Sequence, residues 1–459
     1  MSAATREVAL DETSAPPPPQ RPGWLRRHGV AMAVAVVALA VAALVLQGRT
    51  DAAERRRVAA LADVPGVLAP VGDDLRARWR TGVAAGAHVL GTPVDGVLVQ
   101  GTDDDDGYVL QGRDTSTGRL LWTTPVEAPL AQHLLTWCVP VGAVAACQAV
   151  PDAPVDAVAV ARRALWTVDP RTGAVLVERS LRSDAQVLAL PGRLVVAEGG
   201  PGRTWTVRSL DPRTGDARWT YRTPQPGSPD ATAPQVLDAG DGRTLFAYDG
   251  SGLVLDTRGV PGPSVQVTDV TWWSALRAGA VTARSYGPRG DLQGRILLRD
   301  GRVVRSGDEP LRIAVDDGSV PDELFTDDAA AGELVARSAT DGTELWRARV
   351  APTANLLLDG RLYVGTASAV VALDARTGDE LWRRPVAGGV DEVSSDGRVL
   401  VVLHGTARAD AFALAGGAPR WSTDLAAAAE VATGDVARTM FAAGRIFVRT
   451  HDDVAIALG

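Results

Sequence analysis

The chain of 459 residues has no lysine, one asparagine (Asn355), two cysteines and five histidines. Two Cys and five His give a metal site built on those ligands little material. With Asn355 as the only Asn, a calcium site has almost no Asn amide oxygen to draw on. The absent lysine leaves all 47 basic residues as arginine, which reads as compositional bias and carries no function. A net charge of −8 argues against general nucleic-acid binding, which needs a basic surface. There is no Gly-rich phosphate loop and no nucleophile in a recognisable context. No catalytic residue, cofactor or metal is therefore expected.

One long apolar run is present. Residues 29–48, "GVAMAVAVVALAVAALVLQG", carry no charge. As a helix, about 19 residues span roughly 28 Å, close to the hydrocarbon thickness of a bilayer. A secretory apolar region is shorter, so the expectation is an uncleaved, single-pass anchor in the cytoplasmic membrane. Residues 1–28 contain "SAPPPPQRPG" and are expected to be a disordered cytoplasmic tail. Residues 49–73 read as a linker. Arg21, Arg26 and Arg27 precede the run, and Arg49 and Arg55 to Arg57 follow it, so local charge does not orient it. A long C-terminal domain translocates largely regardless of such charge, and it is expected outside the cytoplasm.

The cysteines bear on the same point. In "TWCVPVGAVAACQAV" (136–150), Gly142-Ala143 suits a two-residue hairpin turn with Gly first. That register sets Cys138 opposite Cys147 as a close cross-strand pair. A bridge would place the domain in an oxidising compartment. Two small buried thiols in a reduced protein are the alternative.

From residue 74 the texture changes to short alternating apolar runs separated by Gly, Asp, Pro and Thr, the pattern of many short strands. Within it a unit recurs. Asp stands eight residues before Trp, and Gly four before it, in Asp114/Gly118/Trp122, Asp211/Gly215/Trp219 and Asp374/Gly378/Trp382. Asp169 and Gly173 keep the turn but end in Val177. Gly342/Trp346 and Gly417/Trp421 keep the later half. Residues 245–259 and 294–305 are weaker copies. The spacing is roughly 36 to 55 residues, the range of a four-stranded propeller blade. Asp at a strand end accepts from backbone N–H groups of the turn, and Gly supplies positive φ. Trp is large enough to fill the gap between blades, and a small residue two before the Asp leaves room for it. These residues read as turn and docking elements.

The pattern Ala-x-Asp-x-x-Thr-Gly-x-x-x-Trp, complete in "ALDARTGDELW" (372–382), resembles the tryptophan-docking motif of pyrroloquinoline-quinone (PQQ)-type β-propellers. The resemblance covers about 74–459. It implies an all-β propeller, expected to have eight four-stranded blades, with seven or nine as alternatives, preceded by one transmembrane helix. The family includes quinoprotein dehydrogenases and a non-enzymatic BamB-like branch. The dehydrogenases need a central calcium, a carboxylate base and, in one branch, adjacent cysteines. Here the two cysteines are nine apart. No Cys follows the apolar run to carry a lipid, unlike the BamB lipoprotein. "DDDD" (103–106) reads as a solvated acidic loop before it reads as a metal site, and "TWW" (271–273) as packing before a binding platform. The expected function is a monomeric, membrane-anchored, non-catalytic scaffold that binds other envelope proteins. The alternative is a PQQ-dependent alcohol or sugar dehydrogenase, or a PQQ sensor.

The chain ends supply a test of the ring. "HDDVAIALG" (451–459) reads like the strand before a docking turn, and "DDLRARWRTGV" (73–83) like the strand after it. Trp79 is therefore expected to complete the blade begun by the C-terminus.

Overall fold

The computed structural model describes residues 64–82, 92–104, 107–127, 134–151, 162–199, 204–224, 234–248, 250–267, 270–286, 292–306 and 309–459, with parts of 34–61. The chain divides into two compact units, 1–59 and 60–459. Most of the apolar run 29–48 lies outside the described residues. Among the described residues no helix is long and apolar enough to cross a membrane.

The second unit is an all-β ring of nine antiparallel sheets. In chain order the blades are 97–125, 134–182, 186–222, 235–266, 270–306, 309–348, 354–385, 392–424 and 436–458. The ninth takes its outer strand from the other end of the chain, Ala77–Gly82. Eight sheets have four strands, and the first shows three among the described residues. The expectation of eight blades is thereby corrected to nine. The two weak repeats, 245–259 and 294–305, fall in separate sheets, the middle strands of blade 4 and the last two strands of blade 5. They lack the Trp but keep the pairing pattern that makes a blade.

Each sheet is a meander, because short alternating strands joined by tight turns pair with their chain neighbours. The first strands of successive blades lie against one another and line the middle of the ring. Hairpins between first and second strands share one face with the turns between third and fourth strands, here called the turn face. Ala375 N donates to Gly360 O at 2.9 Å across the two in blade 7. Apolar side chains fill the seams between sheets. Leu356, Tyr363 and Trp382 of blade 7 meet Val393, Leu400 and Phe412 of blade 8 in one cluster.

Closure is by strand pairing. Ala77–Gly82 runs antiparallel to Val454–Leu458, with Trp79 opposite Ala457. The later part of the segment read as a linker lies on the ring as a strap. Leu61 and Leu68 are buried in the seam clusters of blades 7 to 9. Leu68 N donates to Ser395 O and Ala69 N to Gly444 O, both at 2.8 Å. Ser394 Oγ donates to Gly66 O at 2.9 Å. A Cβ on Gly66 would come within 2.6 Å of Ala314 O, so the approach needs a glycine. The strap thus crosses the turn face. The sequence suggests a linker there, with a short helix in "DAAERRRVAALADV" ended by "PGVLAPVGDD", and residues 54–61 are helical.

Candidate functional site

The repeated turns come first, because they hold the Asp and Gly residues of the repeat. Asp114 Oδ1 accepts from Ser116 N at 2.9 Å and Thr117 N at 2.8 Å. Asp169, Asp211 and Asp374 accept in the same way, from Arg171 N, Arg213 N and Arg376 N at 2.8 to 2.9 Å. Bonds from Ser116, then Thr117, hold the Asp114 carboxyl down at about 2. The ion-paired hydrogen bond from Arg218 lowers that of Asp211. Gly118, Gly173, Gly215, Gly342, Gly378 and Gly417 all have φ between 66° and 75° or so, the left-handed region.

The docking tryptophans belong to two seams at once. Trp382 is the cross-strand neighbour of Ala372 in its own blade. Its outer side covers Gly417 of the next blade, where a Cβ would come within 2.5 Å of the indole. Trp79 covers Gly118, Trp122 covers Gly173, Trp219 covers Gly259 and Trp346 covers Gly378 in the same sense. Val177 covers Gly215, and Val304 covers Gly342. The indole N–H then reaches the carbonyl just past the start of that turn. Trp79 Nε1 donates to Thr115 O at 3.1 Å, Trp122 to Pro170 O at 2.7 Å, Trp346 to Ala375 O at 2.9 Å and Trp382 to Leu414 O at 3.1 Å. Trp421 is half-buried against the last blade.

A second set of staples was missed in the sequence. Each comes from an Arg that follows Gly at the hairpin between first and second strands. Arg445 Nε donates to Thr115 O at 2.8 Å, Arg361 Nη1 to Leu414 O at 3.2 Å and Arg193 Nη1 to Thr257 O at 3.2 Å. The recurring dipeptides Gly192-Arg193, Gly242-Arg243, Gly360-Arg361 and Gly444-Arg445 were the available signal. Burial lowers the pKa of Arg193 and Arg445. Both stay charged, as guanidinium does in proteins.

Cys138 and Cys147 are joined by a disulfide across the hairpin that opens blade 2. Both are buried. Trp273 packs on Gly252, while Trp272 lies 4.9 Å from the Arg284 guanidinium carbon. Part of "DDDD" falls outside the described residues.

The residues do not fit a PQQ–calcium centre. Among the described residues no group of three or more His, Cys, Asp or Glu is placed to hold a metal. Asn355 is buried on the first strand of blade 7. The cysteines pair across a hairpin instead of forming an adjacent-cysteine ring.

A cavity of about 470 Å³ opens on the face opposite the turns. It is lined by Thr353 before blade 7, by Val390, Asp391, Glu392, Gly405 and Thr406 of blade 8, and by Ala437, Arg438 and Thr439 of blade 9. Arg438 Nη2 lies 3.0 Å from Glu392 Oε1, and Phe441 N donates to Glu392 Oε2 at 2.9 Å. Thr353 Oγ1 donates to Val390 O at 2.7 Å. Sequence reasoning did not find this cavity, because its lining comes from three blades with no shared motif.

The family model described as outer membrane protein assembly factor BamB matches residues 105–309, 312–383 and 366–459. BamB from Moraxella catarrhalis is 17% identical over 84% of this chain and 97% of its own, with a TM-score of 0.43. The quinohemoprotein alcohol dehydrogenase ADHIIG from Pseudomonas putida is 11% identical over 85% of this chain and 78% of its own, at 0.44. Sqt1 from Saccharomyces cerevisiae is 7% identical over 83% and 98%, at 0.46. No curated protein matches the sequence.

Proposed function

This chain belongs to the family described as outer membrane protein assembly factor BamB, and we propose that it is a non-catalytic scaffold of the cell envelope. In this reading residues 29–48 anchor it in the cytoplasmic membrane, and the propeller lies outside the cytoplasm and binds other envelope proteins. The observation that carries the reading is the Cys138–Cys147 disulfide inside a propeller of that family. Such bridges persist in oxidising compartments and are rare in the cytosol. The ring is suited to holding partners. Its seams are pinned by indole and guanidinium donors on backbone carbonyls, so its surface is presented without rearrangement.

Two measurements test the proposal. Protease added to spheroplasts should degrade the propeller and leave an N-terminal fragment protected. Photo-crosslinkers on the ring surface, in intact cells, should give discrete adducts with envelope proteins. An intact propeller after protease treatment would refute the topology. Stoichiometric binding of PQQ and Ca²⁺, with dye reduction by an alcohol or aldose, would refute the non-catalytic reading.

A further inference from the structure

The strap and the cavity lie on opposite faces. The strap runs beneath the hairpins at Ser395–Asp396 and Gly444. The cavity is built from the other ends of the same first strands, at Asp391–Glu392 and Ala437–Thr439. The cavity therefore opens away from the strap.

The cavity carries unsatisfied polar groups. Thr439 is only 7 % exposed and lines it, and its hydroxyl makes no hydrogen bond among the described residues. That hydroxyl reaches the solvent of the cavity and is open to a bound donor or acceptor. The Arg438 and Glu392 charges cancel, and the second Glu392 oxygen is held by Phe441 N. Asp391 stands beside them with no hydrogen bond or ion pair to its carboxylate among the described residues. The lining thus keeps one uncompensated negative charge. Thr353 Oγ1 spends its proton on Val390 O, so it faces the cavity as an acceptor. Open acceptors and one unpaired carboxylate call for a cationic donor.

We infer that this cavity is a docking site for an Arg or Lys side chain presented by an extended polypeptide, with Asp391 as its counter-ion and Thr439 and Thr353 as hydrogen-bonding partners. The volume lies in the range of ligand sites and holds one long side chain with its flanking backbone. The choice of a polypeptide over a small cation rests on the scaffold reading above.

The test uses the full chain in nonionic detergent. Saturation-transfer NMR titrations compare acetyl-Gly-Arg-Gly-amide, acetyl-Gly-Glu-Gly-amide and free arginine. The Arg peptide should bind saturably and more tightly than both others. Asp391→Asn should weaken it about fivefold, the upper range for a solvent-exposed ion pair. Thr439→Val should weaken it too, whereas Asp216→Asn on the turn face should change nothing. Matching melting curves would show that the variants fold. No saturable binding, equal binding of the Glu peptide, or no effect of Asp391→Asn would overturn the site. Free arginine binding as well as the peptide would overturn the polypeptide assignment. If the Arg peptide binds as stated but no envelope protein crosslinks, the scaffold reading fails and the cation site stands.

Discussion

Trp79→Ala is the most direct test of how the ring closes. Trp79 is 7 % exposed and sits on the strand that joins the two ends of the propeller. Its ring meets Phe447 edge-on at a centroid distance of 5.3 Å and covers Gly118 of blade 1. Truncation of a buried Trp to Ala costs about 3–5 kcal/mol through lost transfer energy and the cavity left behind. The aromatic pair adds about 1 kcal/mol within that range. The lost indole N–H does not orphan Thr115 O, because Arg445 Nε still donates to it at 2.8 Å. The working figure is therefore about 4 kcal/mol. For a domain of this size it should lower the urea midpoint by about 1 M, followed by far-UV circular dichroism. Trp421→Ala should cost about half as much, since that indole is only half-buried. A midpoint for Trp79→Ala within about 0.2 M of wild type would refute the claim that this indole pins the closure.

Four further outcomes follow from the same geometry. Removing residues 451–459 deletes the strand between Ala77–Gly82 and Arg445–Thr450 and should abolish cooperative unfolding, read by calorimetry. Gly378→Ala combines a φ of +76° with a Cβ 2.6 Å from Trp346 and should cost more than Gly360→Ala, where φ is +71° and nothing lies within 4 Å; equal urea midpoints would refute the packing role of Gly378. The double variant Cys138→Ser/Cys147→Ser opens a short loop and should lose about 2–3 kcal/mol, and thiol titration of the denatured wild type should find free thiols only after reduction. The Asp114 carboxyl, at about 2 when folded against 3.8 unperturbed, stabilises the fold above pH 3.8, and that contribution disappears as pH falls towards about 2; Asp114→Asn should flatten the acid limb of the stability curve over that window.

The propeller architecture was readable in the sequence, but the blade count of nine was not, and the seams explain why. A docking motif looks like one unit on paper. In space its two halves belong to different seams. Asp374 and Gly378 receive Trp346 from the blade before, while Trp382 goes to the blade after. A missing Trp therefore weakens one seam without abolishing the blade that lacks it. Blade 4 lacks a docking Trp after Asp256, yet its Gly259 still lies under Trp219. Counting complete motifs undercounts blades. The strap was unreadable for a different reason. Leu61 ends the helical stretch 54–61 and Leu68 lies in the segment after it, and no local pattern marks them as core: they are buried because the ring brings blades 7 to 9 beneath them.

The two kinds of staple also account for how the ring tolerates such uneven repeats. Leu414 O accepts from Trp382, Arg361 and Tyr363, and Thr115 O accepts from Trp79 and Arg445. Where the indole bond is absent, at Trp219, Arg193 still reaches Thr257 O of the same seam. Between blades 4 and 5, where no docking Trp stands, Arg243 Nη1 reaches Arg299 O at 3.1 Å. Each charge-assisted bond of this kind contributes roughly 1.5–3 kcal/mol, comparable to part of a buried indole. Two donors converging on one carbonyl let either be lost alone, so selection on the turn face can keep the seam without keeping the motif. On the opposite face the described residues show no docking indole bond of this kind, and one guanidinium there, Arg80 Nη2, reaches Ala429 O just past blade 8 at 2.9 Å. The cavity on that face is lined by residues that no repeat predicts. The docking indoles gather on the turn face and the cavity lining follows no repeat, so the chemistry of the cavity can vary without loosening the docking turns.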